Sequence, residues 1–230
     1  MKARAMSSAC LLLFALVLCG CGPPEGGGPA SGAVRDDRLV VLGPSLVELM
    51  WELDLGDLIV AVDRYVSWPP ELAALPRVGG YLDPSLEAII DLHPTSIHSV
   101  GRNPDLEDLA FEAGLVGGYR TYRFDTLEDV FESARLLCLT YGEEGGYAAF
   151  AERVEGALDS LSALVEREGL TGTSVLLLIT RVEGSGSTVS VGEGTFLRDV
   201  VERLGLELSA PDRGCYPTLS IESVVAIQPD

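Results

Sequence analysis

From residue 38 onward, short apolar runs alternate with amphipathic helical patterns, and this alternation constrains the fold more than any other feature of the chain. Residues 38–42 (RLVVL) and 58–62 (LIVAV) each read as a short apolar strand of the kind a parallel sheet buries on both faces. Between them Pro44 opens a helical pattern with Leu46, Leu49, Met50 and Leu53 on one face. Residues 95–100 and 119–122 read as further strands. Asp83-Pro84 and Asn103-Pro104 each place a capping residue before a first-turn proline. Asp125-Thr126-Leu127-Glu128 has the form of a capping box. Residues 143–168 make one long helical pattern with no internal proline. A second strand series starts at residues 174–180, with helices over 195–204 and 220–227. The Gly/Ser/Thr-rich residues 184–194 read as a strand-to-helix loop. Such alternation predicts parallel sheets covered by helices, and the long helix suits a rigid connector between two lobes.

An internal echo supports two lobes of one plan. The segment from Tyr81 to Pro94 (YLDPSLEAIIDLHP) matches the segment from Tyr216 to Pro229 (YPTLSIESVVAIQP) at an offset of 135 residues. Tyrosine, serine, glutamate, a paired β-branched step and the closing proline fall in register, so Glu87 corresponds to Glu222. After Pro94 the first lobe continues through strands and helices, whereas Pro229 is followed by Asp230 alone. On that comparison the second lobe is read as incomplete.

The N-terminus reads as an address. Lys2 and Arg4 precede an apolar run over residues 9–18, too short to span a bilayer and of the length of a signal-peptide core. The run ends in Leu18-Cys19-Gly20-Cys21, which resembles a bacterial lipobox with Cys21 as the lipidated residue. Gly and Pro dominate residues 22–34, a tether that does not pack. Of the remaining cysteines, Cys138 and Cys215 are expected to be buried free thiols, although an exported compartment permits their pairing. With 35 acidic against 16 basic residues, a formal charge of −19, the chain lacks the basic footprint that nucleic acid requires. At 47% hydrophobic residues it buries a core.

The ordered set RLVVL, Gly43-Pro44-Ser45, Glu48, Leu55-Gly56-Asp57, Tyr65, Trp68-Pro69-Pro70, Leu75-Pro76, Val78-Gly79-Gly80-Tyr81 and Ser85-Leu86-Glu87 resembles the periplasmic binding proteins of cobalamin and iron-siderophore ABC importers. The resemblance implies two Rossmann-like α/β lobes joined by a single long helix, with ligand held between them. It implies a signal peptide over residues 1–20, a tether over 21–36, lobes over 37–141 and 171–230, and a connecting helix over 142–170. By motif position Glu87 and Glu222 dock on the permease of a permease–ATPase complex, while Glu48 is structural. Tyr65, Tyr81 and Tyr216 fall where cobalamin-binding members place aromatic contacts. Trp68 lies on the same loop series, and Arg102 and Arg181, read as following strands, are candidates for an anionic cargo. The ligand stays open between a corrinoid, a ferric siderophore and haem. The implied protein is a monomeric, exported, membrane-anchored lipoprotein that catalyses no reaction and holds no cofactor or metal of its own.

An exported α/β enzyme and a tethered sensor are the alternatives. The sequence holds no Gly-x-Ser-x-Gly elbow, Walker loop or strand-linked Gly-x-Gly-x-x-Gly. His93 and His98 are the only histidines, too few for a His-based zinc site without carboxylates. His93 is expected to pack against its neighbours and His98 to lie in a loop or at a strand end.

Overall fold

The apolar runs of the first lobe do become parallel strands. The computed structural model describes residues 36–230 apart from 73, 143, 183, 211–213 and 230. The expected signal segment, Cys21 and the tether up to residue 35 lie outside the described residues. Strands β1 (Leu39–Leu42), β2 (Ile59–Val62), β3 (Ser96–Val100) and β4 (Gly118–Tyr122) form one parallel sheet in the order β2-β1-β3-β4. All four residues of β1 are fully buried, as a central strand covered on both faces must be.

Helices α1 (Pro44–Glu52), α2 (Leu86–Asp91), α3 (Pro104–Glu112) and α4 (Leu127–Tyr141) connect and cover this sheet. Helix α1 buries Leu46, Val47, Leu49 and Met50, and each such side chain contributes about 1.5–3 kcal/mol on leaving water. The core lies on both sheet faces. Leu39, Val41 and α1 pack with Leu137 and Cys138 on one side, and Val40, Leu42 and Ile97 pack with Ile89 and Leu106 on the other.

Gly43 makes the tight turn between β1 and α1. Its φ of 112° disfavours side chains, and an added Cβ would stand 2.5 Å from Cγ2 of Val100. Asn103 caps α3 with Pro104 in its first turn, and Thr126 closes a capping box with Asp129 on α4. Asp83 does not cap α2. The cap is Ser85, whose hydroxyl accepts from Ala88 N, because Ser85 itself is still extended (φ −83°, ψ 104°) and the chain turns helical only at Leu86.

Helix α5 (Glu144–Arg167) is the long connector. Beyond it the second lobe is less regular than the alternation predicts. The expected strand over residues 174–180 divides into β5 (Ser174–Val175) and β6 (Leu178–Val182). β5 pairs in parallel with β8 (Glu207–Leu208). β6, β7 (Ser187–Ser190) and β9 (Thr218–Leu219) form an antiparallel sheet instead. β7 lies inside the stretch read as a loop. A tight turn through Gly184 and Gly186, both at positive φ, returns the chain beside β6 as a hairpin. Helices α6 (Phe196–Arg203) and α7 (Ile221–Ile227) are capped by the hydroxyls of Thr195 and Ser220.

The two histidines exchange the places expected of them. His93 follows the end of α2 in left-handed conformation (φ 49°), exposed, with Nδ1 2.9 Å from the Asp91 carbonyl. His98 is fully buried in the middle of β3. Its Nε2 meets the hydroxyls of Ser96 (2.8 Å) and Tyr141 (2.7 Å), and its Nδ1 meets that of Tyr122 (3.0 Å). Neither Cys138 nor Cys215 is in a disulfide; Cys138 is buried, whereas Cys215 is exposed, because it sits in the bend after Gly214 rather than on a packed face.

Candidate functional site

The carboxyl end of the first sheet is organised by a residue the sequence reading passed over. Asp63, fully buried, directly follows β2. One carboxylate oxygen accepts the N–H of Gly43 at 2.6 Å and the other that of Tyr65 at 2.7 Å. The turn after β1 and the loop after β2 are thereby tied together. Arg77 donates to the carbonyls of Asp63 (3.0 Å) and Val66 (2.8 Å), holding the loop from its other side. The available signal was an acid placed immediately after an apolar strand.

On this braced loop Tyr65 is 61% exposed and Trp68 39% exposed, large apolar surfaces presented to solvent. The Arg64 guanidinium lies 5.8 Å from the Tyr65 ring centroid and pairs with Asp83 at 2.7 Å. Tyr81 is half-buried, and its hydroxyl lies 3.9 Å from where a Cβ on Gly101 would stand, just past β3. Tyr65, Tyr81 and Arg102 are therefore gathered at the strand ends where open α/β sheets bind ligands. Arg102 is already engaged there. Glu107, one turn along in α3, accepts from its Nε at 2.8 Å and its Nη2 at 2.6 Å.

The second lobe supplies Tyr216 and Arg181. Tyr216 is half-exposed in the turn before β9, and partial burial raises its hydroxyl pKa, with Cys215 and the Asp125 carboxylate adding to the effect. Asp125 belongs to the first lobe, in the segment between β4 and α4. Arg181 does not follow a strand. It lies within β6, paired with Thr188 and exposed, because the strand runs on through Val182. Among the described residues, no cluster of three or more His, Cys, Asp or Glu is arranged to hold a metal ion.

Glu87 and Glu222 occupy the same place on two helices. Each is exposed at the second residue of its helix, after a serine cap, Ser85 or Ser220. Burial plays little part at Glu222. Hydrogen bonds from its own backbone N–H and then from the Ser220 side chain hold its carboxyl below the usual range. The helices also end alike. His93 and Gln228, each just before a proline, are two of the three described non-glycine residues at positive φ (49° and 46°). The echo thus extends to backbone conformation.

Known proteins share this architecture. A family model described as periplasmic binding protein matches residues 39–230. The uncharacterized ABC transporter substrate-binding lipoprotein YvrC of Bacillus subtilis is 23% identical, in an alignment covering 100% of this chain and 80% of that protein. The vitamin B12-binding protein of Photorhabdus laumondii is 38% identical over 76 residues, 32% of this chain and 28% of the relative. Among solved structures, the periplasmic heme-binding protein RhuT of Roseiflexus in apo form superposes with a TM-score of 0.70 at 25% identity, covering 84% of this chain and 74% of that one. With the model matched along nearly the whole described length, the chain belongs to the periplasmic binding protein family.

Proposed function

We propose that this protein is the substrate-binding component of an ABC importer, a lipoprotein anchored through Cys21 on the outer side of a membrane. It takes up a metal chelate between its lobes and hands it to the permease of a permease–ATPase complex. It makes and breaks no covalent bond. The observation that carries the reading is the matched pair of helix starts, Ser85-Leu86-Glu87 and Ser220-Ile221-Glu222, with one exposed carboxylate on each lobe. Two anionic posts on related turns suit paired cations on a two-fold permease, where charge complementarity steers encounter and fixes orientation.

The cargo is a flat or bulky chelate, a corrinoid, a ferric siderophore or haem. Support lies in the exposed aromatics Tyr65, Trp68 and Tyr216 and in the half-buried Tyr81. Aromatic faces bury large area against such ligands at little entropic cost. Relatives named for heme and for vitamin B12 fit the same range.

Absorbance titration and calorimetry against cobalamin, haem and ferric siderophores test the cargo, and at least one binds. Binding of none of them overturns the reading. Charge reversal at both Glu87 and Glu222 leaves ligand affinity intact and abolishes transport in reconstituted vesicles. Lost ligand binding in a folded double variant removes the docking assignment.

A further inference from the structure

The rim of the first lobe carries one more cation, and its surroundings differ from those of its neighbours. Arg102 is held through two nitrogens by Glu107 of the helix that follows it. Arg123, after β4, is paired with Asp125 (3.3 Å) and Asp129 (3.7 Å) of the adjoining segment. Arg77 is spent on backbone carbonyls beneath the loop. Arg64 is placed otherwise. It is the first residue after the buried Asp63, so its backbone is fixed by the same braces that fix Tyr65. Its guanidinium lies beside the exposed Tyr65 ring, and its side chain is 49% exposed. Among the described residues its ionic partner is Asp83, through Nη2 alone, and Asp83 is itself 68% exposed.

A guanidinium offers five N–H donors in a planar fork, so a single contact at one nitrogen leaves most of that capacity for a second anion. Gly80 makes the arrangement possible. An added Cβ there would collide with Oδ1 of Asp83 and stand 3.2 Å from Nη2 of Arg64. The backbone thus leaves room for the pair and draws it against the Gly79–Tyr81 turn, next to the second cleft aromatic.

We propose that Arg64 is the group that recognises an anionic cargo, with Asp83 as an internal counter-ion that holds the guanidinium over Tyr65 until ligand carboxylate or phenolate oxygens displace or share it. This rests on the chelate-binding reading above and narrows it. The site selects chelates with peripheral negative charge, such as haem with its two propionates or a ferric tris-catecholate, over cobalamin, whose periphery is mostly amide. Asp83 sets the selectivity, since an anion must compete with it, and a neutral amide gains little from a paired cation.

Absorbance titrations of the wild type, Arg64→Gln and Asp83→Asn with haem, a ferric tris-catecholate and cobalamin, at low and high salt, test the assignment. Arg64→Gln weakens the anionic ligand about tenfold or more, as expected for a lost charge-assisted contact, and flattens its salt dependence. Cobalamin binding, where present, is unchanged. Asp83→Asn tightens the anionic ligand. Unchanged anionic binding in Arg64→Gln overturns the inference, as does weaker anionic binding in Asp83→Asn. Equal losses for cobalamin and the anions overturn it too, since they mark a structural role for Arg64. A wild type that binds cobalamin alone removes the inference and leaves the transport reading standing. A wild type that binds none of the chelates removes both.

Discussion

At the scale of single residues, His98 shows how a polar side chain belongs in a core. Burial, and then the Arg120 charge, push its pKa down to about 3, so it is neutral in the folded protein and its ring nitrogens serve the hydroxyls of Ser96, Tyr122 and Tyr141. The unfolded chain takes up a proton below the ordinary imidazole value of about 6.5. Between that pH and the folded value the unfolded state binds more protons, so stability falls as pH falls, by ~1.4 kcal/mol per unit. From pH 7 to pH 5 this histidine removes about 2 kcal/mol. Urea unfolding of the wild type and His98→Gln at both pH values checks it. The variant loses about 2 kcal/mol less across that interval, and equal losses contradict the account. None of this was legible in the motif SIHSV, because polar residues at 96, 98 and 99 weaken the strand signal. They are tolerated only because tyrosines from β4 and α4 arrive to satisfy them. His93 was misplaced for the opposite reason. Its helical spacing from Leu86 and Ile89 looks like a packed face, but α2 stops at Asp91 and the chain turns left-handed before Pro94.

At the scale of elements, the first lobe was readable because each unit carries its own start and stop signals. The apolar runs are buried on both faces, Asn103-Pro104 and Thr126 mark helix starts, and the long connector has no internal proline. The second lobe was readable in its helices and not in its strands. β7 holds one large apolar residue, Val189, flanked by serines, threonine and glycines. It is a strand only because β6 and β9 pair with it from either side. The candidate site divides in the same way. Aromatics after strands could be picked out singly, whereas Asp63 and the Arg64–Asp83 pair act through partners distant in sequence. The serine caps give a prediction at this scale. Ser85→Ala and Ser220→Ala each cost about 1 kcal/mol, read from denaturant midpoints, because each leaves an orphan N–H at a helix start. In Ser220→Ala the Glu222 carboxyl also loses one of the bonds that lower its pKa, and an NMR titration shows its pKa rising. A Glu222 pKa that stays put removes the cap from that explanation.

For the molecule as a whole, what matters is how the lobes are held. The N–H of Leu127, at the start of α4, donates to Oδ2 of Asp199 on α6 at 2.8 Å, a bond from one lobe to the other. Asp199→Ala loosens this junction, and hydrogen exchange at Leu127 quickens several-fold while the sheet amides stay protected. Unchanged exchange there removes the bond from any role in joining the lobes. The connector is gripped from both sides within a short length. Arg153 on α5 pairs with Glu52 of the first lobe at 2.6 Å, and Asp159 and Glu155 on the same helix take Arg203 of the second. From Arg153 to Asp159 is six residues, or ~9 Å, of a helix ~36 Å long. The two lobes thus meet the connector at nearly the same level of one shaft. A torque applied to either lobe passes to the other across a short span, with no long free length in which to dissipate as bending. On the docking proposed above, a permease that pries the lobes apart through Glu87 and Glu222 would feel a stiff tool rather than a hinge, and cargo release becomes a matter of force delivered at those two carboxylates.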